Sequence, residues 1–374
     1  MTIIARAIGA VVTSYDGVMS NRRIGVIGAG IIGLTTAYEL ARDGNDVTVF
    51  DPSPARGATF AAAGMLAPSA EIAPGEERNY ELQRDAVPRW RELAQHLAAD
   101  DAGSIALHDV GTVLTGWDAS DRRLVQQSAE VLRRFGVDTP VVGRDERPEV
   151  FHGLSDRITS GIFLAGDAWL DPDQAVEVLT TALARRGVSV VREAVEETRN
   201  VEQRRRIITA TNEWDVDAVI FTTGAAPIPS GVSAKSSVRP IRGVTVRLRG
   251  LDRFKQPMVR SFVRGRPFYL VGRDSDYCVV GASAEEKATA SIETGEFYRL
   301  LRDALDVVPA LETAAWLETR LGHRPVAPSG EPFFETNAAE RWAWSSGHYR
   351  HGVTLAPLAA SWAVAFVREL DHVG

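Results

Sequence analysis

The feature that most constrains this chain is a short apolar strand that runs without a gap into a glycine-rich turn and then a helix. Ile24-Gly25-Val26-Ile27 reads as a buried parallel strand and leads into Gly28-Ala29-Gly30-Ile31-Ile32-Gly33. Apolar positions Leu34, Ala37, Tyr38 and Ala41 recur at helical spacing from Ile31 to Arg42, and Asp43-Gly44-Asn45 stops the helix. Val47-Thr48-Val49-Phe50 then restarts a strand that ends at Asp51-Pro52. Each part has a physical task. Gly28 permits the tight turn and Gly30 lets the backbone approach a pyrophosphate. Gly33 allows close packing of helix on strand, while the helix N-terminus at Ile31 and Ile32 faces negative charge. Asp51 stands 23 positions after Gly28, where a carboxylate accepts hydrogen bonds from ribose hydroxyls and repels a 2′-phosphate. Strand, turn, helix, strand and acid in this order imply dinucleotide binding, without separating a nicotinamide from a flavin dinucleotide.

Size and composition remove other classes. At 374 residues the chain has room for two to three domains of roughly 150 residues. It is 45% apolar and 24% charged, which excludes global disorder. Forty-two basic against 49 acidic residues give −7, an acidic balance that speaks against a phosphate-backbone binder, so no nucleic acid partner is expected. The sole cysteine, Cys278, excludes a disulfide within the chain and a cysteine zinc site, and suits a reducing cytoplasm. No stretch approaches the roughly 20 apolar residues of a membrane span. Residues 1–18 hold a short apolar run, Ala7 to Val12 after Arg6, without the charged start and cleavage site of a secretory signal. They read as a poorly ordered upstream extension.

Along the remainder, apolar strands alternate with helical stretches. Helices are expected over Tyr80 to Ala99, Asp121 to Phe135, Asp171-Pro172 to Arg186 and Glu293 to Leu305. Ile105-Ala106-Leu107 and Gly111-Thr112-Val113-Leu114 read as an antiparallel pair. Val188 to Val191 and Asp217 to Phe221 read as further strands, and Thr222-Thr223-Gly224-Ala225 as a glycine turn. From Val244 to Gly281 the pattern alternates as antiparallel strands with one solvated face do.

Four further segments are candidates for chemistry. Gly57-Ala58-Thr59-Phe60-Ala61-Ala62-Ala63-Gly64-Met65-Leu66-Ala67-Pro68 is a small-residue run that on composition alone reads as a buried helix start. Arg266-Pro267-Phe268-Tyr269-Leu270-Val271 is a strand whose tyrosine, taken alone, is packing. Gly322-His323-Arg324-Pro325-Val326-Ala327-Pro328 carries an arginine before proline, and a guanidinium can grip a carboxylate through two parallel charge-assisted hydrogen bonds. With 39 arginines and three lysines in the chain, arginine itself is uninformative and the neighbours carry the weight. Gly347-His348-Tyr349-Arg350-His351-Gly352-Val353-Thr354-Leu355-Ala356-Pro357 is a loop that opens a helix; its two histidines lack the further ligands of a metal site, so no metal is expected.

From Arg23 to the C-terminal helix, these segments and their order resemble the glycine oxidases of the D-amino acid oxidase flavoprotein family. The resemblance implies α/β and α+β architecture: a discontinuous Rossmann-type FAD-binding domain (19–98, 156–237 and 322–374) and an inserted, mainly antiparallel sheet substrate domain (99–155 and 238–321). It implies noncovalent FAD lying along Thr59, Ala62, Ala63, Gly64 and Met65, with Val195 facing adenine, Thr223-Gly224 beside the cofactor and Gly347 to Thr354 at the flavin's pyrimidine edge. Tyr269, Arg324 and Arg350 match the family's substrate-site residues. The implied reaction is oxidation of glycine or a small D-amino acid by hydride transfer from Cα to flavin N5. Imine hydrolysis follows, and molecular oxygen is reduced to hydrogen peroxide; the family also implies a place in thiamine biosynthesis. Pro267, Ala284 and the 328–335 stretch depart from the glycine oxidase pattern and leave the substrate open. Val279 and Val280 stand where sarcosine oxidase-like enzymes carry a lysine, and no cysteine stands where they attach flavin. A flavin dehydrogenase of a secondary amine, a nicotinamide-dependent dehydrogenase and a noncatalytic nucleotide-binding module stay as alternatives, and a homo-oligomer stays open.

Overall fold

A computed structural model describes residues 21–250, 257–273 and 277–370; the upstream extension expected over 1–18 lies outside the described residues. The first strand, Arg23–Ile27, sits at the centre of a six-stranded sheet. It pairs in parallel with Asp46–Phe50 on one side and Ala218–Phe221 on the other. Ser189–Val191 extends the sheet in parallel beyond Asp46–Phe50, and Trp342–Ser346 does so beyond Ala218–Phe221, before antiparallel Phe333–Asn337 closes that edge. The central strands are apolar throughout because both faces are covered. Helix Ile31–Arg42 packs on one face beside helix Gly352–Glu369, and helices Pro172–Arg185 and Glu77–Ala99 complete that layer. Trp90, fully buried among them, donates its indole N–H to the Val353 carbonyl at 2.8 Å, so its polar atom enters the core with a partner.

A second sheet has eight strands in the order Ala315–Val326, Arg239–Arg249, Tyr277–Gly281, Arg266–Gly272, Met258–Val263, Thr112–Gly116, Ser160–Leu164 and Val141–Gly143. Its pairings are antiparallel except where Met258–Val263 runs parallel to Thr112–Gly116. One face packs on helix Thr294–Val307, with Val246, Leu270 and Val280 meeting Leu300, Ala304 and Val307. The opposite face turns toward the nucleotide-type sheet. There Thr245 donates through its hydroxyl to the Ala61 carbonyl, which ties the eight-stranded sheet to the small-residue run.

Several local expectations change. Ile105-Ala106-Leu107 is not a strand: Ile105 is buried in the helical core, Ala106 N–H turns to the Gln174 side chain, and pairing is confined to a His108–Trp169 bridge. Thr112–Gly116 takes its partners from Met258–Val263 and Ser160–Leu164 instead. Residues 57–68 do not start a regular helix; a short turn over Ala58–Ala61 leads to the two-residue strand Met65–Leu66 and the single helical turn Pro68–Glu71. A three-stranded antiparallel sheet of Val195–Val201, Arg204–Thr209 and Glu213–Val216 was not anticipated.

Candidate active site

A cleft of about 1150 Å³ runs between the two sheets, from the Gly28 turn to the far strands of the eight-stranded sheet. Small-molecule sites usually measure roughly 300–1,000 Å³, so this one has room for a dinucleotide and a small second ligand. Of the residues expected on it, Gly28, Gly30, Ile31, Ile32, Asp51, Pro52, Thr59, Ala62, Ala63, Gly64, Met65, Val195, Thr223, Gly224, Tyr269, Arg324, His348, Tyr349, Arg350, Gly352 and Val353 line it. Gly33, Gly347, His351 and Thr354 stand behind the lining. A Cβ on Gly33 would fall 1.8 Å from the Gly28 carbonyl oxygen, so its smallness serves helix-to-turn packing. Gly347 takes φ +76 at the loop turn, His351 is buried beside Glu71, and the Thr354 hydroxyl donates to the Met65 carbonyl at 3.0 Å.

The Gly28 end has the chemistry of a dinucleotide cradle. Gly28 is at φ +108, and a Cβ there would meet the Thr222 carbonyl at 2.5 Å. Thr222 in turn donates to the Gly28 carbonyl, fixing the turn to the neighbouring strand. Helix Ile31–Arg42 begins without a side-chain cap from Gly30; Ile31 N–H donates to Thr59 Oγ1, which leaves later first-turn donors for an anion. Asp51 accepts from Ala29 N–H at 2.7 Å and Ser53 N–H at 2.8 Å, one bond per oxygen, so each oxygen keeps acceptor capacity toward the cleft. These residues fit a pyrophosphate on the helix and a ribose on the acid.

At the other end, glycines form a floor. The Tyr269 ring lies over Gly281, where a Cβ would approach Tyr269 Cζ to 2.2 Å, and the Arg324 head lies over Gly243, where a Cβ would approach Cζ to 2.4 Å. Arg324 Nη1 donates to the Ser283 carbonyl at 2.9 Å. The Ser283 hydroxyl, which accepts from Val244 N–H, donates to the Glu296 carboxylate, itself paired with buried Arg242 at 2.6 Å. The arginine seat is therefore braced from beneath the sheet. Burial pushes the Tyr269 phenol up to about 12 although Arg324 and Arg260 oppose the rise, so it stays protonated and able to donate. Pro267 and Ala284 are exposed in the same wall.

A charged cluster closes this end. Arg350 forks onto Glu76 at 2.5 and 3.3 Å and also donates to the Glu71 carbonyl, so its charge is already matched. Burial works to raise the Glu71 carboxyl, but His351 at 3.2 Å, Arg350 and Arg260 outweigh it and hold the group down at about 2. Burial lowers His348 to about 4, so it stands neutral on the wall. Glu71, Arg260 and Gly243 line the cleft and were not expected from the sequence. Glu71 lies just beyond the small-residue run that the resemblance assigned to the cofactor, and Arg260 carried no signal in a chain so rich in arginine.

Residues 23–366 match the FAD dependent oxidoreductase (DAO) family. The chain belongs to this FAD dependent oxidoreductase family. Among its members, the chain is 24% identical over 345 residues to a glycine oxidase of Geobacillus kaustophilus, covering 90% of each. It is 29% identical over 345 residues to a Rhizobium etli protein named putative thiamine biosynthesis oxidoreductase ThiO, covering 90% of this chain and 94% of that one. Against the bifunctional ThiO/ThiG protein of Trichormus variabilis, 26% identical and matched over 93% of this chain, it spans about half, 53%, of the relative's length. The crystal structure of the Geobacillus kaustophilus glycine oxidase superposes with a TM-score of 0.84 at 23% identity, covering 93% of this chain and 95% of that one. An iminodiacetate oxidase structure from Chelativorans superposes at 0.82 with 24% identity, covering 93% and 95%. Both show the same FAD dependent oxidoreductase fold.

Proposed function

We propose that this flavoprotein oxidises a small amino acid or amine, with molecular oxygen as acceptor and an imine, hydrolysed in water, as first product. The observation that carries this reading is the pairing of Arg324 and Tyr269 over a glycine floor, in the cleft that begins at the Gly28 turn. The names of the relatives, glycine oxidase and ThiO, support the same class of reaction. Bound FAD supplies the chemistry by accepting the hydride from the amine-bearing carbon.

In this reading the chain binds and orients. The Gly28–Gly30 turn and the Ile32 amide would hold pyrophosphate, with the Ile31 amide kept on Thr59, while Asp51 would hold ribose and the wall from Thr59 to Met65 would line the flavin. Arg324 grips the substrate carboxylate and the Tyr269 hydroxyl donates to it, which fixes Cα relative to the flavin. The loop from His348 to Val353 and the helix N-terminus behind it would supply backbone donors that stabilise negative charge on bound FAD. We assign the six-stranded sheet to the nucleotide-binding unit and the eight-stranded sheet to the substrate-binding unit. The buried thiol of Cys278 suits a cytoplasmic setting.

The test is a peroxide assay on purified protein with glycine, sarcosine, D-alanine and D-proline. A yellow protein that releases FAD on denaturation and produces peroxide with at least one of them supports the reading. Pro267 and Ala284 are compact, and Phe268, Tyr277 and Trp316 stay off the cleft, so substrates bulkier than glycine are expected to react. A glycine preference above about a hundredfold over all three others would overturn that expectation, since a methylene is worth at most about that much. No peroxide with any amine would overturn the reading.

A further inference from the structure

Arg260 lines the cleft but takes no part in the reading above. It stands on Met258–Val263 directly opposite Tyr269, at 7% exposure. Its Nε has no hydrogen-bond partner, and no carboxylate among the described residues pairs with its head at ion-pair distance. Glu71 is its strongest opposite charge, yet that carboxylate faces His351 at 3.2 Å and Arg350 at 3.8 Å. Arg350 in turn is matched by Glu76. A guanidinium offers five donors and keeps its charge, so a buried one on the cleft wall with no carboxylate in ion-pair contact has donors free for an anion that arrives with a ligand.

The register of the sheet fixes where that place is. Arg260 pairs with Tyr269, and Tyr269 pairs with Gly281 on the next strand. Arg239–Arg249 follows, and Arg324 sits on the strand beyond it. Four strand steps of about 4.8 Å separate the two arginine-bearing strands, roughly 19 Å between their axes. The span is narrowed from within, because the Arg324 head folds over Gly243 and the Tyr269 ring over Gly281. The open sheet face is thus bounded by Arg324 at one end and Arg260 at the other, with Tyr269 between them, and by compact Pro267 and Ala284 along the side.

We infer that Arg260 binds a second acidic group of the substrate, which makes the preferred substrate an amino diacid with one carboxylate on Arg324 and the other on Arg260. This rests on the reading of the cleft as an amino acid site. A single-acid substrate leaves Arg260 without an anion, whereas a diacid satisfies both ends of the floor. The second carboxylate sits either on the side chain or on the nitrogen substituent, and the two are separable by experiment.

The experiment compares kcat/KM of the holoenzyme for matched pairs: D-alanine against D-aspartate, and sarcosine against N-carboxymethylglycine. In the unaltered enzyme one diacid should exceed its single-acid partner by about tenfold or more, as expected where a site is built for a polar group. Arg260→Met should lower kcat/KM for that diacid by about a hundredfold, the scale of a buried charge losing its partner, and change its single-acid partner by no more than about threefold. Arg260→Lys should restore part of the diacid rate. The pair that responds tells which position bears the second acid. Absence of any diacid advantage, or an equal fall for both members of each pair in Arg260→Met, overturns the inference and makes Arg260 a partner of Glu71 only.

Should no amine be oxidised, the reading of the reaction fails, and binding decides Arg260 separately. Titration of the bound flavin's visible spectrum with succinate and with butyrate should show succinate binding about tenfold tighter or more, an advantage lost in Arg260→Met. Equal binding overturns the inference. If Arg260→Met does not retain FAD, Arg260→Gln serves in its place.

Discussion

Gly243 and Gly281 carry no side chain, yet they decide where Arg324 and Tyr269 can lie. Neither is in the left-handed region, so alanine is not excluded by backbone strain; what it meets is the guanidinium or the phenol, at 2.4 and 2.2 Å. A guanidinium at the end of a flexible stem moves more readily than a strand does. Gly243→Ala is therefore expected to keep fold and FAD but to displace Arg324, raising KM by about tenfold to a hundredfold with a melting midpoint close to that of the parent. Steady-state kinetics beside a thermal melt check it, and an unchanged KM would show that Arg324 does not need its seat. Arg324→Lys should raise KM similarly, by on the order of a few kcal/mol of lost binding, because an ammonium cannot reproduce the planar fork. Unchanged kinetics there would move the carboxylate anchor to Arg260, since Arg350 is already held by Glu76. Tyr269 and Arg324 were legible through their neighbours, whereas Arg260 was not, since its strand reads Met-Val-Arg-Ser-Phe-Val and nothing in that pattern separates a cleft arginine from a surface one.

Between elements, the pair of Arg242 and Glu296 joins strand Arg239–Arg249 to helix Thr294–Val307. Both side chains are almost wholly buried, and Arg242 also donates to the Thr289 hydroxyl and the Ser291 carbonyl. Removing one partner strands a buried charge, so Glu296→Ala is expected to cost about 3–5 kcal/mol in denaturant unfolding. It should also raise KM in the surviving enzyme, because Ser283 loses the acceptor that orients the Arg324 seat. A loss of stability with KM unchanged would separate the brace from the site. Nothing in the sequence pairs residues 54 positions apart, which is why this brace was invisible. The parallel strands, in contrast, were readable because Ile24–Ile27 and Ala218–Phe221 are apolar on both faces. The sheet from Val195 to Val216 was not, since Arg204-Arg205-Arg206 and Glu196-Glu197 break the alternation. Arg205 is buried there by donating to Thr198, Asn200 and the Gly231 carbonyl, a solution set by tertiary partners.

For the whole molecule, the pH dependence of stability follows from three buried groups around the cleft. Asp167 accepts from Ser69 and Ala70 N–H, and burial, its largest influence, still pushes the carboxyl from 3.8 up to about 7. The folded chain then holds a proton that the unfolded chain releases, so this group makes stability fall as pH rises between those values. His348 is lowered from 6.5 to about 4, chiefly by burial, and His351 is lowered by burial and by Arg350. Below pH 6.5 the unfolded chain binds protons at both histidines that the folded chain refuses, so these groups make stability fall as pH drops. Across about pH 4.5 to 6.5 His348 and Asp167 act in opposite directions, and His351 adds to the histidine side. Stability should therefore rise with pH across this window. Asp167→Asn removes the opposing proton, and its slope should be steeper than that of the parent by up to one proton, on the order of 1.4 kcal/mol per unit. Urea unfolding of the FAD-saturated protein at several pH values in this window measures both slopes. Equal slopes in parent and variant would show that Asp167 is ionised in the folded chain, with the Ser69 and Ala70 amides outweighing its burial.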